Sequence, residues 1–129
     1  MRSLFLSFFL LFFLNGCDIQ GKKSIHQIDI KSVKQKIGKE AMVLEIGSSS
    51  CATCIKMKKL IEKMKAKEST LPIYIVDVYD DMSIFSFFNL KMIPTQIVLN
   101  KEGKELYRSM GERTEAEFLE FVSHAQGKK

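Results

Sequence analysis

Apolar and polar positions fall into blocks of different period along this chain. Leu4 to Leu14 is an apolar run broken only by Ser7, and Asp18 to Ser24 is polar without period. Ile25, Ile28 and Ile30 predict a short first strand. Val33 and Ile37, four apart in the polar stretch 31–40, predict a small helix. Residues 41–47 (AMVLEIG) are apolar apart from Glu45 and bounded by glycine and serines, which fits a strand buried on both faces. The clearest helix covers 52–67. Cys54, Met57, Leu60, Ile61 and Met64 form its apolar stripe, and lysines 56, 58, 59, 63, 65 and 67 supply most of its polar surface. Ser49 or Ser50 is the expected N-cap.

Pro72 opens a further strand over 73–79. Asp80 or Asp81 caps a helix running to about Leu90, with Ile84, Phe85, Phe88 and Leu90 inward and Phe87 outward. Residues 95–100 and 104–110 form two strands joined by a short turn through Gly103, and Gly111 ends the second. Thr114 and Glu117 have capping-box spacing for a last helix, whose Phe118, Leu119 and Val122 pack on the sheet. The predicted order is β-α-β-α-β-α-β-β-α. It gives an α/β domain with a parallel half and a hairpin half, around a mixed central sheet of four to five strands flanked by helices.

The length of 129 residues suits one compact domain. The net charge is +5, and removing residues 1–16 leaves +4, a mild excess carried by Lys22, Lys23, the lysines of 56–67 and the tail. No Arg-rich aromatic stripe accompanies it, so nucleic acid is not an expected partner. Weak attraction to an anionic membrane face is the expected consequence of the excess, with a solvated helix face as the plain alternative.

The apolar run is too short to span a hydrocarbon core of about 30 Å, which takes roughly 20 residues. After the basic start Met1-Arg2 it matches the h-region of a secretory signal peptide. Leu14-Asn15-Gly16-Cys17 resembles a bacterial lipobox, with Leu at −3 and a small residue at −1. The resemblance implies cleavage before Cys17 and lipidation of that cysteine. An ordinary signal peptide cut elsewhere and an uncleaved short anchor are the alternatives. The predicted organisation is a lipoprotein signal peptide at 1–16, a lipidated cysteine and tether at 17–24, and one domain at 25–129. The tether has a reach on the order of 15 Å. Dual acylation anchors stably where one chain does not. The expected location is the periplasmic face of a bacterial membrane, and Asp18 favours the inner membrane over the outer.

Export also explains the three cysteines. Disulfides persist outside the cytoplasm, and lipidation of Cys17 leaves Cys51 and Cys54 as a closed pair. These two stand three apart at the joint between a buried strand and a helix, close enough on one helical face for a disulfide. The first sits where unpaired N–H groups and the positive dipole end favour a thiolate. Lowering a thiol pKa from about 8.5 to about 7 is worth roughly 2 kcal/mol. Cys54 begins the apolar stripe and is expected to be buried and less nucleophilic. Cys51 is therefore the expected attacking thiol and Cys54 the resolving one. Glu45, alone in its apolar strand, is the candidate proton relay for Cys54 if that strand is central. Otherwise it is a solvent-facing strand residue.

At this point the chain resembles the thioredoxin family. The strand-CATC-helix arrangement, Ile93-Pro94-Thr95 some forty residues later, the 100–103 turn and Gly111 carry the resemblance over roughly 27–125. It implies the thioredoxin fold, a cis peptide at Pro94 facing the dithiol, and backbone groups of Ile93 beside an incoming substrate strand, with Thr95 completing the motif. It matches Glu45 to the family's buried acid six positions before the first cysteine. It implies no cofactor. Its clients would be exported proteins bearing disulfides or dithiols, such as apocytochromes c, with an unidentified membrane electron donor for recycling and a monomeric state. Departures are Ser50 for the usual Trp, Ala52-Thr53 as the inner pair, and Lys59 for a helix-kinking Pro. Ala52-Thr53 brings no cation to the thiolate, which favours a reductant over a strong oxidant.

Two rival classes stand beside this reading. Cys51, Cys54 and Met92 could bind copper, although tetrahedral zinc would want four ligands and one CxxC supplies two. His26 and His124, at the two ends of the domain, form no spaced pair and read as surface residues. The pair could instead be a structural disulfide in a non-catalytic binding module, but so small a loop stabilises little.

Overall fold

The computed structural model describes Ser24 and residues 26–128. The expected signal peptide, Cys17 and the part of the expected tether before Ser24 lie outside the described residues. Among the described residues eight elements follow one another: α1 (Ile30–Lys36), β1 (Met42–Gly47), α2 (Ala52–Lys67), β2 (Ile73–Asp77), α3 (Ser83–Phe87), β3 (Thr95–Leu99), β4 (Glu105–Met110) and α4 (Glu115–Ala125). Among the described residues the strands form one sheet in the order β2-β1-β3-β4. β1 runs parallel to β2 and antiparallel to β3, which is antiparallel to β4.

The period of two in the strands divides the core between the faces. Met42, Leu44 and Ile46 pack with Ile30, Val33, Ile84 and Phe88 from α1 and the α3 region. Val43 packs on the other face with Met57, Ile61 and Met64 of α2 and Phe118, Phe121 and Val122 of α4. The central strand is buried throughout, as its apolar run predicts. The same alternation turns Glu45 and Gly47 toward α2 and α4, so the site faces those two helices.

Several expected boundaries moved, each for a local reason. Ile25 of the expected first strand lies outside the described residues, and the described part holds one parallel bridge, Gln27 to Ile75. Ile30 is instead the first residue of α1, because the Asp29 carboxylate accepts the Ser32 N–H at 2.7 Å and caps a helix there. α1 then stops at Lys36, ahead of Gly38 at φ +79°, well short of residue 40. α3 is a five-residue helix rather than one reaching Leu90, closed off before Asn89 at φ +48°. Phe87 is exposed, as expected, and Ile84, Phe88 and Leu90 are buried. In α4 the capping box forms between Thr114 and Glu117. Its buried stripe is Phe118, Phe121, Val122 and Ala125, an i, i+3, i+4, i+7 set that leaves Leu119 46% exposed.

α2 spans the predicted residues, but its lysines are not all solvent-facing. Lys65 is buried and donates to the carbonyls of Leu71 (2.8 Å) and Ile73 (3.1 Å). It ties the end of α2 to the start of β2. Burial pushes its ammonium pKa down.

Candidate redox site

The site begins where β1 ends. Val78 N–H bonds to the Gly47 carbonyl at 2.9 Å, and the chain leaves the sheet through Ser48, Ser49 and Ser50. Neither expected serine caps α2. The Ser49 N–H donates to the Asp77 carboxylate at 3.0 Å, and the Ser50 hydroxyl sits 3.2 Å from Ser48 Oγ and 3.1 Å from Tyr79 Oη. These contacts fasten the loop to the end of β2 and leave the cap to the next residue. Cys51 is the N-cap, and its sulfur accepts the Cys54 N–H at 3.2 Å. The first sulfur therefore sits among the free N–H groups at the helix start, where negative charge is favoured.

Cys51 and Cys54 are joined as a disulfide with Cα atoms 5.1 Å apart. Cys51 is half-buried, whereas Cys54 is 5% exposed. This matches the asymmetry expected from the apolar stripe. Gly47 lies directly beneath the second cysteine. A Cβ on it would stand 2.8 Å from Cys54 Cβ and 2.9 Å from its sulfur, so no side chain fits without shifting α2. In the sequence Gly47 marks only a strand boundary; its contact with Cys54 needs the third dimension.

Ile93–Pro94 is a cis peptide bond, as the resemblance implied. Pro94 is buried and its carbonyl accepts the Gly111 N–H at 2.9 Å. Thr95 is also buried, and its hydroxyl donates to the Met92 carbonyl at 2.6 Å. Because Thr95 pairs with Ile46, Pro94 comes level with Gly47, next to the turn that presents the disulfide. Ile93 is half-buried and Met92 is 49% exposed on the same segment.

Glu45 is 2% exposed, inside the central strand. Gln96, its direct cross-strand partner, donates from Nε2 to Glu45 Oε2 at 2.8 Å. The other oxygen, Oε1, is buried with no hydrogen-bond partner among the described residues. Burial pushes the Glu45 pKa up to about 8, against the opposing pull of the Gln96 hydrogen bond and the Arg113 charge. A carboxyl with this pKa can take or give a proton near neutrality. Glu45, Gly47 and Cys54 line a groove of about 740 Å³ that is also lined by Glu62 and Lys65 of α2.

Among the described residues no group of three or more His, Cys, Asp and Glu could hold a metal ion. In this state the two sulfurs are bonded to each other, which leaves neither free as a copper ligand. His26 is half-buried, and burial, reinforced by Lys65, lowers its pKa. His124 is exposed on α4, 3.9 Å from Glu120. Among the described residues no helix is long and apolar enough to cross a membrane.

Comparison with known proteins decides the family, because the thioredoxin family model matches residues 24–124, most of the chain. The chain belongs to the thioredoxin family. Solved thioredoxins share its fold. One from Malassezia sympodialis is 19% identical, with a TM-score of 0.65 over 80% of this chain and 92% of that one. Chloroplastic thioredoxin z is 15% identical, with a TM-score of 0.66 over 81% and 96%. A thioredoxin from Nicotiana alata is 19% identical, with a TM-score of 0.64 over 78% and 94%. A search of curated proteins found no significant match. Family and cysteine pair together support thiol–disulfide oxidoreductase activity at a general level. Gln96, Gly47 and Tyr79 join this site through contacts between elements that no local sequence pattern marks.

Proposed function

We propose that this thioredoxin-family protein is an extracytoplasmic, lipid-anchored oxidoreductase that passes reducing equivalents to exported proteins. The observation that carries the chemistry is the asymmetric disulfide: Cys51 at the entrance of α2, Cys54 buried, and Glu45, whose Oε1 has no partner among the described residues, lining the same groove as Cys54. In the reduced protein the Cys51 thiolate attacks one sulfur of a client disulfide. A Cys51–client bond forms and the other client sulfur leaves as a thiolate. Cys54 then gives its proton to Glu45 and attacks Cys51. The mixed disulfide breaks, the client's second thiolate is released, and Cys51–Cys54 closes. Two electrons pass to the client, and a membrane electron donor restores the dithiol. Pro94, with Ile93 and Thr95, is the clamp for the client strand.

The leader and lipobox support the location. The absence of a cation between the cysteines supports the direction. Apocytochromes c and misoxidised secreted proteins are the clients this reading favours.

Equilibration of the Cys51–Cys54 couple with glutathione tests the direction. A reductant should settle below roughly −200 mV and reduce insulin, while a value near about −120 mV would make the protein an oxidant and overturn that part of the proposal. The anchor is tested separately. Acyl-chain labelling of the full chain in a bacterial host should be lost in Cys17→Ser, and persistence of label in that variant would overturn lipidation at Cys17.

A further inference from the structure

Gln96 lies in the middle of an apolar strand and is wholly buried. A buried amide there is costly unless its hydrogen-bonding capacity is used. Its Nε2 spends both hydrogens at the site, one on Glu45 Oε2 at 2.8 Å and one on the Gly111 carbonyl at 3.0 Å. Gly111 in turn donates its N–H to the Pro94 carbonyl at 2.9 Å. One chain of hydrogen bonds thus runs from the carboxyl behind Cys54 to the segment that carries the cis proline. Gln96 Oε1, like Glu45 Oε1, is buried and has no partner among the described residues. Turning the amide over would set its oxygen against the Gly111 carbonyl, which can only accept, so the observed orientation is the one electrostatics selects.

We propose that Gln96 is a positioning residue for the resolving step: it holds Glu45 through Oε2, leaves Oε1 as the oxygen that exchanges a proton with Cys54, and ties that carboxyl to the Pro94 segment. This rests on the relay role of Glu45 proposed above. Gln96 touches neither reacting sulfur and acts through Glu45. Other ionisable groups around the carboxyl do not replace it. Arg113, ahead of α4, acts on Glu45 through its charge but donates its hydrogen bonds to Glu117 and the Met110 carbonyl. From α2, Cys54 is the reaction partner, Lys65 is committed to two carbonyls, and Lys58, Lys59 and Glu62 line the groove. Asp77 at the end of β2 holds the Ser49 N–H, and His26 also lines the groove.

The wild-type protein offers the first test. The side-chain amide resonances of Gln96 should titrate with the same midpoint as the Glu45 carboxyl carbon, and an amide that ignores that titration would overturn the proposal. The second test is Gln96→Met, which keeps length and approximate volume and removes both donors. The carboxylate then loses a hydrogen bond, so the Glu45 midpoint should rise by about one unit, leaving roughly tenfold less carboxylate at any pH below it. In single turnover, release of the second client thiol should slow by up to about tenfold below that midpoint, while the first attack by Cys51 barely changes. In a Glu45→Gln background the Gln96→Met change should have no further effect on the resolving rate or its pH profile. An equal slowing in that background would sink the proposal. If Glu45→Gln itself resolves at the wild-type rate and pH profile, the relay reading fails. If Glu45→Gln is slow but Gln96→Met is not, only the assignment of Gln96 fails.

Discussion

Cys51→Ser should abolish disulfide reduction, and Cys54→Ser should stop it halfway. Serine at 51 can still cap α2, since a hydroxyl accepts an N–H as readily as sulfur does, so the fold should survive. It cannot attack a disulfide at neutral pH, and turnover should fall by at least about a thousandfold. Cys54→Ser keeps the half-buried Cys51 thiol at the helix entrance and removes the group proposed to cleave the mixed disulfide. The client should then accumulate on Cys51, one client per protein, as a species that a reducing agent dissolves. Non-reducing electrophoresis and intact mass spectrometry read this directly. A Cys51→Ser protein that still reduces insulin would contradict the assigned roles, as would a Cys54→Ser protein that captures nothing from a disulfide-bearing substrate it meets.

Glu45 should make the oxidised protein less stable as pH rises. In the unfolded chain its carboxyl ionises near 4.5, and in the folded one near 8. Below pH 4.5 both states hold the proton and the burial penalty on charge is absent. Between 4.5 and 8 the unfolded chain has released its proton while the folded one retains it, so stability falls with pH. Above about 8 both are ionised and the loss is complete. At about 1.4 kcal/mol per unit, the full loss approaches roughly 5 kcal/mol. Glu45→Gln supplies the uncharged form permanently. At pH 8.5 the variant should therefore exceed the wild type by about 3 to 5 kcal/mol, with the gap closing toward pH 4.5. Urea denaturation of the two oxidised proteins across this range measures it. A constant difference at every pH would mean that the carboxyl is not held in the folded state as described. Stability gained and proton relay lost in one substitution is the trade-off expected of a working buried acid.

Much of this was legible in the sequence because it depended on period and spacing. The central strand, the bounds of α2, the sulfur asymmetry and the capping box of α4 all follow from short-range pattern. The missed features depend on which elements meet. Residues 95–99 read as one apolar strand around Gln96, and nothing local says that Gln96 would lie opposite Glu45. Lys65 follows Lys63 in a lysine-rich helix, and its burial is decided by two carbonyls beyond the helix end. Leu119 and Phe121 are both apolar, and the choice between them depends on the phase of α4, which the sheet fixes. The first strand failed because Asp29 offers a cap that outcompetes an extended run of spaced isoleucines.

The cap on α2 is made by an atom that changes chemical state. As a thiolate, the Cys51 sulfur receives the Cys54 N–H as an anion, a stronger acceptor than the sulfur of a disulfide or mixed disulfide. The opening turn of α2 is therefore expected to tighten on reduction and slacken on oxidation. The energy of a backbone hydrogen bond becomes part of the electrode potential, and a change that loosens this turn biases the protein toward its oxidised form without touching either sulfur.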